Sequence, residues 1–258
     1  MEKGDGMKGV ILAAGKGTRL QPLTYAIPKE MVHVCGKPLI QHAVDLFKHG
    51  GVTNIVVVVG ENKSAVMDYL KDGAWNGIDV SYRFQTELNG IAKAIYIAKP
   101  FVDDDTFVAT FGDEIIEPKD RLVKDMLDLH KAKNSFCTLG LSPVTDPQRY
   151  GIVKIDGDGK IIDLMEKPQT DADKARLKTC NEYLGINGVF VFEHGIFDYI
   201  DKIKPGAKGE YQITDAIKLA LDAGKPCYAV VHRGIYRDVG TYDALLATEK
   251  LLLNQKDI

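Results

Sequence analysis

The stretch Met7–Lys29, MKGVILAAGKGTRLQPLTYAIPK, decides the fold. It opens with an apolar run, Gly9-Val10-Ile11-Leu12-Ala13. A run this short, bounded by glycine, reads as a buried strand rather than a helix. The chain then breaks into Ala14-Gly15-Lys16-Gly17-Thr18. Glycine admits close backbone approach and positive φ, and successive free N–H groups in such a turn form a concavity for an anion. Lys16, Arg19 and Lys29 bring three cations to the same end of the strand. A strand, a glycine turn and cations at the strand's carboxyl end describe a triphosphate site. A turn that binds nothing has no use for those cations.

Two familiar phosphate loops do not fit. No G-x-x-x-x-G-K-[ST] string occurs. The dinucleotide fingerprint finds its first two glycines in Gly15 and Gly17, but its third position is Leu20, which disfavours an NAD-dependent enzyme. The H-x-G-H loop expected of an activated-alcohol cytidylyltransferase is also missing.

Composition sets the frame. The chain has 258 residues, 45% of them hydrophobic, enough for one large α/β domain with a sizeable core or for two intimately packed lobes. A formal net charge of −3 suggests neither nucleic acid nor an anionic membrane as partner. No apolar run approaches transmembrane length, and no signal peptide precedes the fold. Cys35, Cys137, Cys180 and Cys227 are far apart without a C-x-x-C, so reduced thiols and a cytoplasmic location are expected. Polar Met1–Gly6, ahead of a second methionine, reads as a flexible extension.

Downstream, the segment from Gly36 to Gly51 carries Leu39, Ile40, Ala43, Val44 and Phe47 at helical spacing. Ile55–Val59 is a β-branched run typical of a parallel strand buried on both faces. A polar helix over Ser64–Leu70, a strand over Val80–Phe84, a helix over Ile91–Ala98 and a strand over Thr106–Phe111 follow. This alternation predicts an α/β fold with a doubly wound, mostly parallel sheet. Its ligands belong at the carboxyl ends of the strands.

At one such end stands Asp113. An isolated aspartate there usually caps a helix. Beside a triphosphate it suits magnesium, which is held by one or two carboxylates plus phosphate oxygens. Gln85 follows another strand, and its amide can donate and accept at once, as reading a pyrimidine edge requires. In the second half, Leu122–His130 reads as a helix and Cys137–Leu141 as a strand. Ile152–Ile155 and Lys160–Leu164 form a hairpin about Gly157-Asp158-Gly159. Gly185–Phe192 and Cys227–Val231 read as strands. Thr214 and Asp215 read as caps of a helix through Leu221. The last helix presents Leu245, Leu246, Leu252 and Leu253, expected to pack internally.

Gly15-Lys16-Gly17-Thr18-Arg19-Leu20-Gln21-Pro22-Leu23-Thr24, followed by Pro28-Lys29, resembles the signature of the sugar-1-phosphate nucleotidylyltransferases. Glucose-1-phosphate thymidylyltransferase and UTP–glucose-1-phosphate uridylyltransferase are the groups it is most similar to. The resemblance covers the chain after Met7. It implies one nucleotidyltransferase domain over 7–258, Rossmann-like, with a nucleotide-binding half (about 7–116) and a smaller hairpin-and-helix sugar-binding half (about 117–258). It implies NTP and sugar 1-phosphate as ligands, Mg²⁺ as cofactor, and a homo-oligomer. By the family's pattern Ala13, Ala14, Gly15, Gly17, Thr18, Gln85 and Gly90 hold the nucleotide. Tyr150, Gly151, Glu166 and Asn187 face the sugar, and Lys167 of Glu166-Lys167-Pro168 faces its phosphate. The aspartate of the D-x-G-T motif, Asp238, is the second metal ligand, meeting Asp113 across the cleft.

Three positions depart from thymidylyl relatives. Thr86 stands in place of proline, Glu114 in place of asparagine, and Arg237 in place of tryptophan. Ile27-Pro28-Lys29-Glu30-Met31 resembles the uridylyl group instead. The implied reaction is NTP + sugar 1-phosphate → NDP-sugar + pyrophosphate, with Arg19, Lys29 and Lys167 as its cations. The alternative is a non-catalytic sensor of the same fold, which would keep the glycine loop and Gln85 but could dispense with both aspartates.

Overall fold

The computed structural model describes residues 6–206 and 209–254. The extension read at Met1–Gly6 lies, apart from Gly6, outside the described residues. The strands are β1 (Lys8–Ala13), β2 (His33–Val34), β3 (Lys37–Pro38), β4 (Asn54–Val59), β5 (Asp79–Phe84), β6 (Phe107–Phe111), β7 (Glu114–Glu117), β8 (Cys137–Val144), β9 (Gly151–Ile155), β10 (Ile161–Glu166), β11 (Tyr183–Phe192), β12 (Cys227–Val231) and β13 (Ile235–Asp238). The helices are α1 (Leu23–Ala26), α2 (Leu39–His49), α3 (Ser64–Leu70), α4 (Ile91–Ile97), α5 (Lys99–Val102), α6 (Leu122–Ala132), α7 (Asp171–Arg176), α8 (Ile196–Ile200), α9 (Ile213–Asp222) and α10 (Tyr242–Asn254).

β6, β1, β4 and β5 lie side by side and parallel. The chain builds outward from β1 through β4 to β5, then returns to set β6 on the other side of β1. Strand order therefore reverses between β1 and β6, and a crevice opens at such a reversal. Successive β1 residues face opposite sides, as strand geometry requires. Val10 and Leu12 join a core with Ile95, Phe197 and Ile217 from α4, α8 and α9. Ile11 and Ala13 join another with Phe47, Val66 and Met126 from α2, α3 and α6. Among the described residues no helix is long and apolar enough to cross a membrane.

The second half enters the sheet antiparallel, β11 pairing with β6. β8 runs along β11, β9 pairs with its start, and β9 and β10 form the expected hairpin. The register of β11 shifts between Ile186 and Phe190, with Gly188 at φ 76°.

Three details differ from the sequence reading. Residues 33–38 form the β2–β3 hairpin, and α2 starts only at Leu39, after Pro38. β7 and β13 pair into a separate two-stranded sheet over the crevice. In α10, Leu245 and Leu252 point inward, but Leu246 and Leu253 are 54% and 49% exposed, because adjacent residues on a helix cannot share a face.

Candidate active site

A cleft of about 1060 Å³ occupies the reversal point between β1 and β6. Ala14, Gly15, Arg19 and Lys29 line it together with Tyr150, Gly151, Glu166 and Lys167. Gln85, Gly90, Asp113 and Asp238 also line it. Residues far apart in sequence thus converge on one cavity.

Gly15 and Gly17 make room for Lys29. A Cβ at Gly15 would stand 3.2 Å from Lys29 Nζ, and one at Gly17, whose φ is 67°, would stand 3.0 Å from Lys29 Cβ. The ammonium of Lys29 lies 2.5 Å from Asp113 Oδ2. Burial alone would lower the pKa of Lys29, but Asp113, Glu30 and Asp238 together raise it above 10.5. Beneath the loop, the Lys63 ammonium donates to the Gly15 carbonyl at 2.7 Å and to Glu30 Oε2 at 2.5 Å. Glu30 is 0% and Lys63 4% exposed. Burial raises the pKa of Glu30 and lowers that of Lys63, each shift opposed by the partner's charge.

Asp113 and Asp238 are brought together by the β7–β13 ladder, in which Asp238 faces Glu114. The Arg19 guanidinium lies 3.8 Å from Asp238 Oδ2. Gly240 leaves space for this approach, since a Cβ there would meet Arg19 Nη2 at 2.7 Å and Asp238 Oδ1 at 2.8 Å. Among the described residues no group of three or more histidine, cysteine, aspartate or glutamate side chains could hold a metal alone. Two carboxylates fit magnesium, which completes its shell with water or other oxygen ligands.

Glu114 turns its carboxyl into the same floor. Oε1 accepts from the Tyr236 hydroxyl at 3.0 Å, and Oε2 has no hydrogen-bond partner among the described residues. Burial, then Asp238 and Asp113, push its pKa well above 4.5. Gly188 makes its place possible: a Cβ there would collide with Glu114 Oε2 and with the Phe111 ring.

Gln85 directly follows β5 and is buried against the cleft. Gly90 has φ 114°, and a Cβ there would stand 2.5 Å from the Tyr211 backbone. The Lys167 N–H donates to the Tyr150 carbonyl at 3.0 Å. Lys167 is held at φ 44°, a conformation that costs a non-glycine residue about 1–3 kcal/mol and concentrates at functional sites. Its ammonium lies 3.2 Å from Glu166 Oε1.

Four expected positions stay outside the cleft lining. Ala13 is buried in the core, Gly17 packs on Lys29 and Thr24, and Thr18 is exposed at the start of a short 3₁₀ turn. Asn187 is fully buried, donates to Ser142 Oγ at 3.1 Å and does not line the cleft. Lys16 is exposed and also outside the lining. Sequence reasoning missed Lys63, Arg149 and Tyr236. Only Glu30 carried a signal, as a lone carboxylate directly beside Lys29.

The chain belongs to the nucleotidyl transferase family, whose match runs over residues 8–255. It is 33% identical over 253 residues to the low-salt glycan biosynthesis nucleotidyltransferase Agl11 of Haloferax volcanii, covering 98% of this chain and 68% of that one. It is 31% identical over 248 residues to a glucose-1-phosphate thymidylyltransferase of Streptomyces antibioticus, covering 96% of this chain and 66% of that one. The structure of a UDP-glucose pyrophosphorylase complexed with UDP-glucose superposes with a TM-score of 0.83 at 25% identity, covering 96% of this chain and 99% of that one.

Proposed function

We propose that this chain transfers a nucleotidyl group from dTTP or UTP to a sugar 1-phosphate, with glucose 1-phosphate the first choice. The supporting observation is the single cleft lined by Gly15, Arg19, Lys29, Asp113 and Asp238 together with Tyr150, Gly151, Glu166 and Lys167. The relatives' names point the same way. Uracil and thymine present the same hydrogen-bonding edge, so Gln85 suits both.

An oxygen of the sugar phosphate attacks the α-phosphorus in line, and the bond to the pyrophosphate oxygen breaks. A phosphate monoester has a second pKa of about 6, so the nucleophile is already ionised and needs no base. Positioning and charge stabilisation then carry the reaction. Arg19 and Lys29 hold the triphosphate and receive the leaving pyrophosphate. Lys167 holds the attacking phosphate, while Tyr150, Gly151 and Glu166 contact the sugar. Asp113 and Asp238 would hold Mg²⁺, which supplies charge neutralisation at the phosphate oxygens when bound.

The test is pyrophosphate release with dTTP, UTP, CTP, ATP and GTP in turn against glucose 1-phosphate. Release with a pyrimidine triphosphate is expected. Release with none, while a triphosphate still raises the melting temperature, would replace this reading with another sugar phosphate or with a sensor.

A further inference from the structure

Thr214 reads as a helix cap in the sequence, and the structure gives it another task. Helix α9 begins at Ile213, and its cap residue Gln212 makes no side-chain bond to the helix. The Thr214 hydroxyl donates instead to Glu166 Oε2 at 3.0 Å, a contact between residues 48 apart in sequence. The other oxygen, Oε1, is the one beside Lys167. Both oxygens of Glu166 are therefore engaged, and the plane of the carboxylate is fixed. Thr214 is 5% exposed, so water does not compete freely for its hydroxyl.

Gly151 lets the pair close. A Cβ there would stand 2.8 Å from Thr214 Cγ2 and 3.1 Å from Glu166 Oε2. Just upstream, the Tyr211 N–H donates to the Asn89 carbonyl at 2.8 Å, and the Tyr211 carbonyl accepts from the Ala92 N–H at 3.0 Å. One short run of chain thus grips the loop after Gln85 by its backbone and the Glu166 carboxylate by a side chain.

We infer that Thr214 is a positioning residue, which aims Glu166 at the sugar hydroxyls from a segment anchored to the base-reading loop. The inference rests on the function proposed above. A hydrogen bond to a charged group carries enough free energy for a change of about ten- to a hundredfold. Thr214→Val keeps the shape and removes the donor. It should lower kcat/KM for the sugar phosphate by about that factor, leave the KM for the triphosphate unchanged, and be rescued by Thr214→Ser. Wild-type kinetics in Thr214→Val, equal loss toward both substrates, or no rescue by serine would overturn the inference alone. Absence of pyrophosphate release by the wild type with every sugar 1-phosphate tried would overturn it together with the reading beneath it.

Discussion

Lys29 Nζ stands 2.5 Å from Asp113 Oδ2. The cleft thus pairs one proposed metal ligand with one proposed phosphate ligand. Lys29→Met should therefore tighten Mn²⁺ binding to the nucleotide-free protein by at least about tenfold, since a cation at ion-pair distance is removed. The same variant should lose about 10²–10³-fold in turnover. Mn²⁺ titration followed by electron paramagnetic resonance checks the first expectation, and an unchanged affinity would refute it.

Lys63 and Glu30 form a buried pair under the glycine loop. Removing one partner of such a pair strands a charge and typically costs about 3–5 kcal/mol, whereas neutral partners of similar volume are often tolerated. Lys63→Met should show that loss in urea unfolding. The double variant Glu30→Gln with Lys63→Met should recover most of it.

Gly188 is the residue that admits the Glu114 carboxyl. Gly188→Ala places a Cβ into that carboxyl and into Phe111 at a left-handed φ. Overpacking of this kind costs about 1–3 kcal/mol, and the strained φ adds to it. Glu114→Ala in the same chain should restore part of the stability. Additive losses in a double-mutant cycle would contradict the contact.

His42 offers a pH test remote from the cleft. Burial, then the Lys119 charge, lower its pKa from 6.5, while the Val34 carbonyl and Glu117 act the other way and Lys37 adds to the lowering. The unfolded chain therefore takes up this proton before the folded one does. Stability from this group is intact above about pH 6.5 and is lost as pH falls toward the folded pKa, with a slope of up to about 1.4 kcal/mol per pH unit. His42→Gln should flatten that slope between pH 7.5 and pH 5 in urea unfolding (range chosen about the ordinary histidine pKa). An unchanged slope would count against it.

Three strands of the parallel half, β1, β4 and β6, were legible because they are apolar or β-branched runs with a glycine just beyond them, whereas β5 is the mixed run Asp79–Phe84. The bounds read for α3 and β12 agree with the structure. β7 was not legible: Glu114–Glu117 is a four-residue strand whose only partner among the described residues is β13. The same limit hid Thr214, whose sequence neighbours suggest a cap while its hydrogen bond goes to another element. The Lys63–Glu30 pair was hidden for a related reason. A lysine and a glutamate are surface residues by default, and only the tertiary fold buries them. At Asn187 the family's pattern suggested a ligand contact, and the shifted register of β11 directs the side chain to Ser142 instead.

The β7–β13 ladder also makes the cleft depend on the end of the chain. Tyr236 reaches Glu114 across 122 residues, and Asp238 takes its place by the same pairing. A nascent chain that has emerged only through β12 owns the glycine loop, Lys29 and Asp113 but lacks the second carboxylate. On the function proposed above, such a truncated chain keeps one of the two proposed metal ligands and is expected to release no pyrophosphate, whatever nucleotide it is given.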